Sequence, residues 1–137
     1  MEDEDKNSGK DRIRNEEQTR ESGNTVIKLT EYKEETIGRG TLLRCKGQYP
    51  YEEVVDFLVC ESRLVCESDA YVLIVASGHK AGLPFCCLPK ESIPVIPGQR
   101  YGCLTKWLIE NWTKWGYGDC SVEDVWIVEN SIPNYPC

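Results

Sequence analysis

The chain has 137 residues, with 23 acidic against 16 basic side chains, a net charge of −7 at pH 7 and a 40% apolar share. That is the size of one domain, with no apolar run near the roughly 18 residues of a membrane span and no Lys/Arg excess to serve as a footprint for DNA or RNA. The start, Met-Glu-Asp-Glu-Asp, is the reverse of a basic-then-apolar secretory leader, so a soluble cytoplasmic domain is expected. Residues 1–24 hold eight acids, five bases and two apolar side chains, Met1 and Ile13. Such a segment cannot offset a backbone ordering cost of about 1–2 kcal/mol per residue, and it reads as a disordered charged tail. Residues 25–137 hold 53 of the 55 apolar residues, all 13 aromatics and all eight cysteines, and read as a single domain. Thr36–Lys46, with Gly38 and Gly40, predicts a bent or bulged strand. Val54–Glu61 and Tyr71–Ser77 are apolar runs of strand length. The second is apolar at every position from Tyr71 to Ala76, which suits a central strand covered on both faces. Gly78–Gly82 is a glycine-bracketed turn into Leu83–Leu88, predicting a hairpin whose second arm lies at an edge because of Pro84.

The clearest helix is Tyr101–Trp115. At 100° per residue, Leu104, Trp107, Leu108, Asn111, Trp112 and Trp115 share one face, with Lys106, Glu110 and Lys114 outside it. Gly116 and Gly118 end it. Ser121-Val-Glu-Asp124 predicts a capped turn and Val125–Glu129 a last short strand. The expected class is α+β: a mostly antiparallel sheet with one amphipathic helix packed on one face.

Few residues carry recognisable chemistry. The cysteines, at 45, 60, 66, 86, 87, 103, 120 and 137, form no close ligand pair, and His79 is the one histidine, so neither a zinc site nor a nucleophilic pair is predicted. Cys60, Cys86 and Cys103 read as small buried apolar residues kept reduced, and Cys137 as an exposed thiol. Gly38-Arg-Gly40 matches no phosphate-loop pattern. No catalytic residue, cofactor or metal is expected. Charge is segregated, however. Residues 50–69 carry one basic and six acidic side chains, including Glu52, Glu53, Asp56, Glu61, Glu67 and Asp69, and residues 115–137 carry four acids and no base. Brought together, these blocks would attract a basic protein partner. Asp119, Glu123, Asp124, Glu52 and Glu53 are the candidate partner-binding acids. Tyr117, between glycines beyond the helix, is the candidate surface anchor, while Trp112 and Trp115 complete the core stripe.

Trp107–Glu129 (WLIENWTKWGYGDCSVEDVWIVE) resembles the C-terminal signature of immunity protein family 45, and Asp56–Ser62 and Gly78–Ser92 fit the same picture. The resemblance covers about residues 26–130. It implies a cytoplasmic antidote, encoded beside a polymorphic toxin of bacterial competition systems, that binds and blocks a cognate toxin domain without chemistry of its own. A nuclease toxin would offer a basic face to the acidic blocks. Two other classes fit the residues: a small thiol enzyme or redox protein, which needs one low-pKa cysteine, and an adaptor module of unknown ligand.

Overall fold

A computed structural model describes residues 20–21, 24–61, 71–95, 102–130, 133 and 136. In chain order the strands are β1 (Arg20–Glu21), β2 (Asn24–Lys28), β3 (Thr36–Ile37), β4 (Leu42–Lys46), β5 (Val54–Glu61), β6 (Tyr71–Val75), β7 (Pro84–Cys87), β8 (Cys103–Leu104) and β9 (Trp126–Val128). Helix α1 spans Thr105–Trp115, and short 3-10 turns cover Leu29–Glu31, Lys90–Ser92 and Val122–Asp124. Among the described residues the main sheet has the order β1-β2-β9-β4-β5-β6-β7, antiparallel at every step, and β3 pairs with β8 in a separate ribbon. This is an α+β fold.

Alternation along the strands builds the core. Ile27, Ile127, Leu43, Phe57 and Val75 lie opposite one another in successive strands, a row across the sheet on one face. The residues two along, Cys45, Val55, Val59 and Leu73, point the same way and are buried, and α1 lays Leu108 and Trp112 into the same core. The other face carries Leu42, Leu58, Trp126 and a bidentate Arg44–Asp56 pair at 2.9 and 3.1 Å. Lys28 Nζ sits 5.8 Å from the centre of the Trp126 ring on that face. In β6, the adjacent residues Val72 and Leu73 are both fully buried, so at these positions the strand is covered on both faces, as its unbroken apolar run predicts.

The hairpin forms as expected. Gly78 and Gly82 take φ of +75° and +97° in its turn, and β7 lies at the sheet edge, where Pro84 has no ladder donor to lose. The expected single strand over Thr36–Lys46 is instead two. The chain turns at Gly38–Gly40, with Gly40 at φ +91°, and β3 leaves the main sheet to pair with β8. The helix starts four residues later than its apolar stripe predicts. Gly102 has φ +137° and lies against the Ile37 carbonyl, and Cys103–Leu104 is used as a strand. Val125–Glu129 does contain the last strand, but that strand sits mid-sheet between β2 and β4. Strands β1 and β2 were not foreseen. Pairing of Arg20–Glu21 with Asn24–Thr25 carries strand structure into the segment expected to be a tail, and residues 1–19 lie outside those described. No helix among the described residues is long and apolar enough to cross a membrane.

Candidate functional site

The antiparallel registers gather one set of connections at one end of the sheet. Lys46 lies opposite Val54, Phe57 opposite Val75, Ile74 opposite Pro84 and Arg44 opposite Trp126. The β4–β5 loop (47–53), the β6–β7 turn (76–83) and the segment between α1 and β9 (116–125) therefore meet there. These loops hold Glu52, Glu53, Asp119, Glu123 and Asp124, all exposed. The topology thus brings the five candidate acids to one end of the molecule, although they come from two blocks of sequence more than 60 residues apart. Lys46, Lys80 and His79 share this end, so the surface is mixed rather than uniformly negative.

The loops are held firmly. Gly47 N–H donates to the Glu53 carbonyl at 2.7 Å, and Tyr51 N–H to the Gln48 carbonyl at 2.7 Å. The Glu52 carboxylate accepts the His79 backbone N–H at 3.1 Å, which holds its carboxyl below the usual range and ties the β4–β5 loop to the hairpin turn. The turn needs glycine at Gly78 for its φ of +75°, and a Cβ there would push the Glu52 carboxylate off this contact. On the third loop, Trp112 Nε1–H donates to the Cys120 carbonyl at 2.9 Å, and Ser121 Oγ caps the following turn by accepting the Glu123 N–H.

Tyr117 is not a surface anchor. It is 3% exposed, its ring lies 5.4 Å from both Tyr51 and Phe57, and its hydroxyl accepts the Gln48 N–H at 3.0 Å. The ring closes an aromatic cluster with Tyr51, Phe57 and Phe85, and burial pushes its hydroxyl pKa up. Trp112 is core, as its helical position predicts, while Trp115 is half-buried and packs beside Trp107 at 6.3 Å. In the first acidic block, Asp56 is buried against Arg44 and Glu61 pairs with Arg39 at 2.8 Å, so neither is offered to a partner as a lone charge. Glu67 and Asp69 lie outside the described residues.

The large exposed side chain at this end is one that sequence reasoning did not single out. Tyr49, at the tip of the β4–β5 loop, is 96% exposed, with Val54 and Leu83 each 54% exposed. Gly47 and Pro50 around it are turn-forming residues, which do not say which way a ring between them points.

Four of the described thiols are shifted away from activation. Burial pushes Cys103 up to about 12, with the Cys86 thiol adding to the effect, and Cys86 itself up to about 11. Burial raises Cys45 further and Cys60 in the same direction. Cys60 and Cys86 are only half-buried, less than expected, but they and Cys103 are free. Cys87 is disulfide-bonded, whereas Cys66 and Cys137 lie outside the described residues. His79 is exposed, and no group of three His, Cys, Asp or Glu side chains able to hold a metal occurs among the described residues.

Among curated proteins and solved structures, nothing matches this chain. A family model does: immunity protein 45, over residues 29–127, a span that includes β3–β8, α1, all three loops of the candidate site and most of β9. On that match the chain belongs to the immunity protein 45 family.

Proposed function

We propose that the protein is a bacterial antidote that binds a cognate toxin domain in the cytoplasm and neutralises it by occlusion, turning over no substrate. The observation that carries this reading is the family match across residues 29–127. Two features support it. The exposed carboxylates of Glu52, Glu53, Asp119, Glu123 and Asp124 share one end of the sheet, where they complement a basic face such as a nuclease presents to its substrate. Burial raises Cys45, Cys60, Cys86 and Cys103, the opposite of what a thiol nucleophile needs.

The test is co-expression with the toxin encoded by the adjacent reading frame. The antidote should restore growth and co-purify with the toxin in a stoichiometric complex. Cells left unprotected by a well-expressed antidote, or a substrate consumed through one indispensable cysteine, would overturn the reading.

A further inference from the structure

Four large apolar side chains stand out into solvent among the described residues: Tyr49, Val54, Leu83 and Val95. The first three belong to the loop end of the sheet, on two neighbouring connections and the strand start between them. An aromatic ring 96% exposed contributes almost nothing to folding, since its apolar area stays in water. Yet the chain on both sides of it is fixed. On the N-terminal side, Gly47 and Gln48 are bound to the Glu53 carbonyl and the Tyr117 hydroxyl. On the C-terminal side, the Tyr51 ring is wedged edge-on between Phe57, Phe85 and Tyr117 at 5.4–6.4 Å, and Glu52 is tied to His79. The loop is pinned at Gly47, Gln48, Tyr51 and Glu52, and Tyr49 is its one large apolar side chain left standing in solvent.

We infer that Tyr49 is the anchor of the toxin-binding surface, a ring presented on a rigid loop for insertion into a pocket of a cationic protein partner. This rests on the antidote reading above. A loop already ordered loses little entropy on binding, and tyrosine supplies a large contact area with few rotatable bonds. The charge around the ring defines the pocket it fits. Glu52 and Glu53 follow it in the same loop, and Asp119 stands two residues beyond Tyr117, whose hydroxyl holds Gln48. Lys and Arg on the pocket rim would pair with these carboxylates. An anionic lipid surface or a nucleic acid backbone would be repelled by them.

The probe is the purified toxin domain encoded beside this chain, captured by the full-length antidote in a biosensor measurement. Tyr49→Ala should release the toxin at least tenfold faster while its melting temperature stays at the wild-type value. Tyr49→Phe, which keeps the ring, should stay within threefold of wild type, and Val95→Ala should be unchanged. A Tyr49→Ala complex as long-lived as wild type would overturn the assignment, as would an equal loss in Tyr49→Phe or Val95→Ala. A wild-type chain that fails to bind the toxin at all would instead remove the antidote reading, and the anchor with it.

Discussion

Tyr117, expected at the surface, is buried, and Tyr49, which no local signal singles out, is the exposed ring. Both are aromatics beside glycine or proline, and nothing in their own neighbourhood separates core from surface. What separates them is a bond between loops nearly 70 residues apart, from Gln48 N–H to the Tyr117 hydroxyl, which local periodicity cannot encode. Tyr117→Ala should therefore destabilise the fold by about 3–5 kcal/mol in urea unfolding, as expected for emptying an aromatic site. Tyr117→Phe, which leaves the Gln48 donor unmet, should cost about 1 kcal/mol. Glu52 gives a prediction in pH. Its folded-state carboxyl titrates below the ordinary glutamate range because the ionised form accepts the His79 N–H. The tie between the two loops is therefore present above that range and is lost as pH falls through the lowered value. A pH titration followed by NMR at the His79 amide should show a midpoint below 4.5, the unperturbed value. A midpoint at or above it would mean the contact does not hold in solution.

Among the elements, those with dense local signals were legible in the sequence. Strand β5 coincides with its apolar run, β6 falls within its own, and the α1 stripe places Leu108 and Trp112 in the core. The break between β3 and β4, the strand at Cys103–Leu104 and the late helix start were not legible. All three follow from one pairing, β3 with β8, between segments 66 residues or more apart. At the candidate site, the five acids are legible as charge blocks because charge is visible in one dimension, and the exposure of Tyr49 is not. Helix α1 closes on a position that has to be glycine: Gly116 N–H bonds the Trp112 carbonyl, and a Cβ there would meet the Trp112 ring. Gly116→Ala should push that fully buried indole out of place, at a cost of roughly 1–3 kcal/mol. A blunted near-ultraviolet circular dichroism signal and a red-shifted tryptophan emission would report it. Because Trp112 also donates to Cys120, the loop bearing Asp119 should loosen with it, seen as faster amide exchange over residues 117–121.

At the scale of the whole molecule, the net charge of −7 sets the long-range field, and five exposed carboxylates lie at the loop end. Replacing Asp119, Glu123 and Asp124 together by Lys should slow association with the toxin and flatten its dependence on ionic strength, with little change in thermal stability because all three are exposed. Unchanged association kinetics would take this part of the end out of the interface. Among the described strands β9 comes last in the chain, and it stands between β2 and β4. A nascent chain can thus pair β4 through β7 with one another, but β1 and β2 have no means of joining them until Trp126–Val128 emerges from the ribosome. A chain interrupted before that point would keep the two parts of the sheet apart, with unpaired strand edges open to aggregation and degradation.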